Sequence, residues 1–219
     1  MERHFDDELK ILKEKLLHMA SRVEEAIHLS IKGLVERNEA IAKKVIASDQ
    51  EINLAEIDID EFSVKLLALY HPEAGDLRTI TMVMRINNDL ERMGDLAVNI
   101  AERVLDLLKE PLLKPLIDIP RMSVCAQKMV QDALDAFVNQ NADLAREVCI
   151  RDSEVDGIND QLFRELLTYM IQDPRSISRA VHLILIGRHI ERIADHATNI
   201  GEDVFFMVKG KTIKHHVAD

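Results

Sequence analysis

Hydrophobic residues near the start of the chain recur at intervals of three and four, which is the spacing of one face of an α-helix. The series is Phe5, Leu9, Leu12, Leu16, Met19, Val23, Ile27, Ile31 and Leu34. At about 1.5 Å per residue, thirty such residues span about 45 Å. We therefore predict a long first helix that buries this face, as helices of bundles and coiled coils do.

Polar or proline-containing stretches interrupt the helical pattern. They are residues 36–40, 71–76, 139–143 and 172–176. Asn38 is the predicted N-cap of the second helix, because its side-chain oxygen can accept hydrogen bonds from free backbone N–H groups. The third helix is predicted from near Asp76 to near Lys109, and the last to about Gly210.

The stretch 111–120 is the clearest internal boundary. It holds Pro111, Pro115 and Pro120, and a regular helix does not accommodate three prolines in ten residues. We predict an all-α fold of two tandem, pseudo-repeated three-helix bundles, six long helices in all. The first bundle is residues 1–110 and the second is residues 121–219, which begins near Arg121 and ends in a polar tail.

Two pairs of matching stretches indicate an internal repeat. "VIASDQEINLAE" (45–56) resembles "VCIRDSEVDGIN" (148–159), 103 positions later. "LERMGDLAVNIAE" (90–102) returns as "IERIADHATNIGE" (190–202), 100 positions later. Two copies of one three-helix unit therefore account for the chain.

The repeated stretches carry rows of acids and amides at helical spacing. The rows are Glu91, Asp95, Asn99 and Glu102, and Glu191, Asp195, Asn199 and Glu202. Residues with this spacing lie on one helix face. Gly94 and its counterpart Ala194 lie inside the rows, where a small residue allows a neighbouring helix to approach closely.

Folding each hairpin at its proline turn brings further acids to these rows. With turn centres near residues 74 and 174, Asp49 and Asn53 meet Asp95 and Asn99. In the second hairpin the same operation brings Asp152 and Asp156 to the residues of the second row, Glu191, Asp195 and Asn199. Both halves thus predict oxygen ligands on two facing helices.

Clustered carboxylates repel one another unless a cation lies between them. Carboxylate and amide oxygens favour Mg²⁺, Ca²⁺ or Mn²⁺, and iron is compatible with them, whereas zinc more often takes nitrogen or sulfur. The alternative interpretation is a solvated face, with Arg92, Arg103 and Arg192 as ion-pair partners of the acids. His196, about 100° away from Asp195 on the helix, is assigned to a surface or interface instead.

Composition narrows the class of protein. The formal net charge of −11 disfavours nucleic acid as a partner. Two cysteines outside any CxxC pair favour a reducing, cytoplasmic location. No apolar run reaches the roughly 20 residues of a membrane span, and no phosphate-loop, serine-nucleophile or zinc-protease motif is present. We expect neither membrane insertion nor enzymatic activity.

The quoted stretches resemble the signature helices of the PhoU family, the accessory proteins of phosphate-specific transport. "AGDLRTI", "DQEIN" and "DPRSISRAVHLILIGRHIERIADHATNIGEDVFFMVKGKTIKH" extend the resemblance over essentially the full chain. The resemblance implies multinuclear clusters of Mg, Mn, Fe or Zn at Glu91 and Asp95, and at Glu191 and Asp195. Because Asn53 stands where the second half has Asp156, the first site is expected to carry less charge and bind more weakly.

The resemblance also implies a function. Members of the family act as adaptors between the phosphate ABC transporter, through its ATPase subunit, and a phosphate-sensing histidine kinase. They restrain phosphate uptake and the starvation response, and they are commonly homodimers. The alternatives are an accessory protein of a different phosphate permease and a metal-dependent hydrolase.

Overall fold

The computed structural model describes residues 2–211 and contains six long α-helices. They are α1 (Glu2–Val35), α2 (Glu39–Tyr70), α3 (Ala74–Leu107), α4 (Asp118–Asn139), α5 (Ala142–Gln172) and α6 (Ile177–Lys209). A 3₁₀ turn, Pro174–Ser176, precedes α6, and no strand occurs within residues 2–211. The predicted all-α class is confirmed. Most of the predicted polar tail, residues 212–219, lies outside the described residues.

The connection between the first two helices of each unit, α1–α2 and α4–α5, is built in the same way. The Asn38 side chain accepts hydrogen bonds from the N–H groups of Ala40 and Ile41, at 3.0 and 3.3 Å. Asn141, 103 positions later, caps α5 through two N–H groups at 3.1 Å. The predicted N-cap role of Asn38 is confirmed, and the repeat extends to its capping residue.

Helices α3 and α6 form the centre of the molecule and run antiparallel. Arg85 near the start of α3 contacts Asp203 near the end of α6, whereas Asp106 near the end of α3 lies opposite His182 near the start of α6. Helices α1 and α2 pack against α3, and α4 and α5 pack against α6. One hydrophobic core is continuous through both units. The outer helices α2 and α5 contact only helices of their own unit within the described residues.

The connection between the units spans residues 108–117, so it is as long as the predicted 111–120 but lies three residues earlier. Helix α4 begins at Asp118, three residues before the predicted start at Arg121, and its first turn includes Pro120. Proline fits there because the first N–H groups of a helix have no partner within the helix. Lys114 in the connection is buried and pairs with Asp118, at 3.2 Å, and with Glu165 of α5.

Within residues 2–211, no helix combines the length and apolarity needed to cross a membrane.

Two glycines inside the repeat mark close helix contacts. A Cβ atom at Gly94 would lie 3.3 Å from two side-chain atoms of Ile52 on α2. A Cβ atom at Gly201 would lie 2.9 Å from the carbonyl oxygen of Ala145, which belongs to the backbone of α5. The packing explanation for Gly94 therefore holds, and α5 approaches α6 more closely still at Gly201.

We expect Gly201→Ala to lower the free energy of unfolding by about 1–3 kcal/mol, because the α5 backbone must move to admit the methyl group. This loss exceeds the roughly 1 kcal/mol that alanine gains over glycine in helix propensity. Gly157→Ala is the matched control, since a Cβ atom there meets nothing within 4 Å. Urea unfolding should show the control at or above wild-type stability. Equal stability of the two variants would contradict the contact.

Candidate functional site

The acids of α2 and α3 come together on the facing sides of these helices. Asp49 lies close enough to Asp95 for its pKa to be raised, first by burial and then by that charge. The pKa of Glu91 is raised by burial and then by Asp95, with further contributions from Glu56 and Asp49. The predicted meeting of Asp49 with the row on α3 is therefore present in the structure.

The second unit repeats this arrangement between α5 and α6 with stronger electrostatic consequences. Burial raises the pKa of Asp152 to about 6, and the charges of Asp156, Asp195 and Glu191 add to the effect. The pKa values of Glu191 and Asp195 are also raised, in both cases first by burial and with Asp156 as a contributing charge. The negative charge of Asp156 therefore lies close to three carboxylates whose proton affinity is raised.

The helix register differs slightly from the one predicted by folding the hairpins. Ile52 packs on Gly94, whereas a turn centre at residue 74 places it opposite residue 96. The shift of about two residues places Asp49 opposite residue 97, between Asp95 and Asn99, and the charge of Asp95 acts on Asp49. The first turn accounts for the shift, because α2 ends at Tyr70 and α3 begins at Ala74, which centres the turn near residue 72 and not 74.

The amides and the last acid of each row do not all join the acid clusters. Asn53 donates a hydrogen bond to Asp49 at 2.9 Å, so it belongs to the first cluster. Asn199 lines a cavity between α3 and α6 beside Asp89 and Asp203, so it faces the other unit. Asn99 is half-buried on α3, and Glu102 lies 3.5 Å from Arg103. The charge of Glu202 acts on the thiol of Cys149.

Sequence reasoning missed one residue in each cluster. Glu56 of α2 lies near Glu91, and Asn159 of α5 hydrogen-bonds to Glu191. Both follow the acids of their helix at the same i+7 spacing, which is the signal that could have found them. Glu56 supplies a carboxylate beside Glu91 that offsets Asn53, so the first cluster does not carry less charge than the second. Weaker binding by the first site stays a prediction.

Each cluster contains one buried carboxylate oxygen without a hydrogen-bond partner. These atoms are Oδ1 of Asp49 and Oδ1 of Asp152, which occupy equivalent positions in the two units. A buried polar atom without a partner is costly and uncommon in folded proteins. The clusters supply carboxylate and amide oxygens, which are the donors that hard cations prefer, so the residues fit the metal ions that the sequence suggested.

The acids are not arranged as a finished coordination sphere. Within residues 2–211, no three His, Cys, Asp or Glu side chains converge as a ready metal-binding group. Arg92 neutralises part of the charge of the first cluster without a metal ion, since it lies 3.4 Å from Glu91 and 3.7 Å from Asp95. Its side chain is 55% exposed, and such surface pairs contribute little. Arg92 leaves the pKa of Glu91 raised and does not contact the unpartnered oxygen of Asp49.

His196 lies outside the acid clusters. Its Nδ1 atom is 2.8 Å from Oδ1 of Asp89 on α3, so the side chain joins the two units. This contact confirms the assignment of His196 to an interface.

Comparison with known proteins gives consistent similarity over nearly the whole chain. The PhoU domain model matches residues 16–104 and again residues 119–204. A protein of Aquifex aeolicus named phosphate-specific transport system accessory protein PhoU homolog is 46% identical over 208 residues, which cover 95% of this chain and 94% of that protein. A protein of the same name from Pseudomonas aeruginosa is 39% identical, covering 97% of this chain and 88% of its own length.

Solved structures agree with the sequence comparisons. The crystal structure of PhoU from Pseudomonas aeruginosa superposes with a TM-score of 0.92 at 39% identity, covering 94% of this chain and 100% of that one. The phosphate transport system regulatory protein PhoU from Streptococcus pneumoniae superposes with a TM-score of 0.88 at 31% identity, covering 95% and 98%. Both are similar in fold and in sequence.

Proposed function

The chain belongs to the PhoU domain family, and from this premise we propose that it is a metal-binding regulatory adaptor of phosphate homeostasis. Its relatives are named as accessory proteins of phosphate-specific transport systems. In this proposal the protein negatively regulates phosphate uptake by the phosphate ABC transporter and the two-component response to phosphate starvation.

The pair of unpartnered oxygens on Asp49 and Asp152 is the observation that carries the metal-binding part. Divalent cations would be held by the carboxylates of the two clusters together with the amides of Asn53 and Asn159. The carboxylates are Asp49, Glu56, Glu91 and Asp95 in the first unit and Asp152, Asp156, Glu191 and Asp195 in the second. A bound cation would neutralise the negative charge of its cluster. It would also hold the outer helix, α2 or α5, against the central helix, α3 or α6.

Oxygen donors favour Mg²⁺, Mn²⁺ or iron over zinc. Cation binding to the outer helices would change the charge of the surface that a partner meets. The proposed partners are the transporter's ATPase subunit and the phosphate-sensing histidine kinase, which place the protein in the cytoplasm. A homodimer is part of the same proposal and rests on the family resemblance.

The test combines partner capture with metal content. Wild type, Glu91→Ala/Asp95→Ala and Glu191→Ala/Asp195→Ala would be purified and used to capture the ATPase subunit and the kinase at high and low phosphate. We expect stoichiometric metal in wild type, loss of one cluster's metal in each variant, and weaker capture by both variants. Gly157→Ala is a control with an unaltered site.

Failure of capture by wild type at both phosphate levels would overturn the adaptor proposal. Wild-type protein that holds no metal after loading with Mg²⁺, Mn²⁺ or Fe²⁺ would overturn the metal-binding part alone.

A further inference from the structure

Five exposed apolar residues flank the turn between α5 and α6, and we call this group the tip patch. Each is between 38% and 82% exposed to solvent. Ile171 has the highest value, and it is the most exposed large hydrophobic residue within residues 2–211. The members are Phe163, Leu167 and Ile171 on α5, and Ile177 and Val181 on α6.

The two rows of the tip patch lie opposite each other. Leu162 of α5 packs over Gly187 of α6, and the two helices run antiparallel on either side of a short turn. Counting from this contact toward the turn places Leu167 opposite Val181 and, at the turn itself, the two isoleucines opposite each other. Single exposed apolar residues are common, whereas a contiguous exposed apolar surface is typical of an interaction site.

The tip patch shares its helix faces with the acid cluster of the second unit. Phe163 lies seven residues after Asp156 on α5, which places both on one face of the helix. Ile177 lies fourteen residues before Glu191 on α6, or about four helical turns. The exposed surface of this hairpin is therefore apolar at the turn and carries carboxylates farther along.

The acid end of this surface keeps an excess of negative charge. Burial and neighbouring acids hold the pKa values of Glu191 and Asp195 raised, although Arg188 lies near the first and Arg192 near the second. The two arginines therefore do not offset the charge of the cluster. A basic group from another molecule would complement it.

The first unit does not repeat the tip patch. The equivalent positions hold an acid, a small residue and a hydroxyl among five, in the order Asp60, Val64, Ala68, Leu77 and Thr81. Both units have the same three-helix fold, so the fold itself accepts polar or small residues at these positions. Packing within the unit therefore does not explain the larger apolar residues of the second unit.

We propose that the tip patch and the acid cluster of the second unit together bind one amphipathic helix of a partner protein, which is apolar at one end and rich in lysine or arginine at the other. From Ile171 to Asp156 the surface is about 22 Å long, which is the length of a helix of about fifteen residues. Apolar residues at i, i+4 and i+7 of such a helix fit the groove between two rows of side chains. The proposal rests on the proposed adaptor function, since it names a surface through which the adaptor binds a partner.

Peptide binding tests this surface directly. The probe is a fluorescently labelled synthetic peptide of about fifteen residues, with leucines at helical spacing in one half and arginines in the other. Its anisotropy is followed as full-length protein is added in chelator, because a bound cation would offset the charge that attracts the arginines. We expect saturable binding that weakens as the salt concentration rises. We also expect Ile171→Asp/Ile177→Asp to weaken it tenfold or more.

The control makes the same change in the first unit. Ala68→Asp/Leu77→Asp alters the equivalent positions, and Leu77 is 45% exposed where Ile177 is 46% exposed. This variant should bind the peptide as wild type does, and circular dichroism reports whether both variants are folded. Absence of peptide binding by wild type, or equal binding by the two folded variants, would refute the proposal.

Capture of the ATPase subunit and the kinase separates this proposal from the adaptor function. If wild type captures either protein and Ile171→Asp/Ile177→Asp captures it equally well, the docking surface is refuted and the adaptor function stands. If wild type captures neither, the adaptor function fails, and the peptide still decides whether the surface binds a helix. If wild type sediments as a dimer that only this variant dissociates, the tip patch joins two copies of the chain and the proposal is wrong.

Discussion

Metal-free Asp152→Asn is expected to unfold at a higher temperature than metal-free wild type at pH 7. Burial and three neighbouring carboxylates raise the pKa of Asp152 to about 6, so its charge opposes folding at neutral pH. A shift of about two pKa units corresponds to about 3 kcal/mol for a fully buried group. Because the side chain is partly solvated, we expect a gain of about 1–2 kcal/mol, or roughly 3–6 °C, by calorimetry.

The pH dependence of wild type follows from the same shift. The folded pKa of Asp152, about 6, exceeds the ordinary value of 3.8, so folding takes up a proton between these limits. This contribution to stability is fully present below about pH 4 and is lost as the pH rises through about 6. Asp152→Asn should flatten the stability curve of the metal-free protein in this window.

Added metal should reverse the order of stability. Mn²⁺ at about 100 times its dissociation constant stabilises a folded protein by about 2.7 kcal/mol, and this gain requires the Asp152 carboxylate. Wild type should therefore melt above Asp152→Asn in Mn²⁺ and below it in chelator. Asp160→Asn, an exposed change on the same helix, should change stability by less than about 0.5 kcal/mol in either buffer. An unchanged order of melting would show that Asp152 holds no metal.

Lys114→Ala is expected to lower the free energy of unfolding by about 3 kcal/mol. The Lys114 side chain is 5% exposed and is the cation shared by Asp118 and Glu165. Its removal leaves two carboxylates, one of them largely buried, without a counter-charge. The loss corresponds to roughly 6–12 °C in melting temperature, measurable by calorimetry or urea unfolding.

Two further variants separate charge from general damage. Lys109→Ala removes an exposed lysine that pairs with Asp106 and should cost less than about 0.5 kcal/mol. Lys114→Met combined with Asp118→Asn and Glu165→Gln removes the whole charge group and should recover much of the stability. If Lys114→Ala is as stable as Lys109→Ala, the buried ion group does not stabilise the connection.

The order and length of the helices follow largely from the sequence. Apolar spacing, Asn38 as an N-cap and the proline breaks are local signals, and each acts through the backbone within a few residues. The internal repeat predicted the acids on facing helices, because two copies of one unit pack their equivalent helices in the same way. The start of α4 was misplaced since Pro120 breaks a helix interior but suits a first turn, and the sequence does not say which applies.

Tertiary structure alone decided how the site is completed. The sequence determined six helices, two repeated units and the meeting of Asp49 with Asp95 and of Asp152 with Glu191 and Asp195. Helical periodicity fixes which residues share a face, and the proline turns fix which faces meet. Packing decided the two-residue shift in register, the inclusion of Glu56 and the orientation of Asn199 toward the other unit. These features depend on the contacts between helices, which periodicity along one helix does not specify.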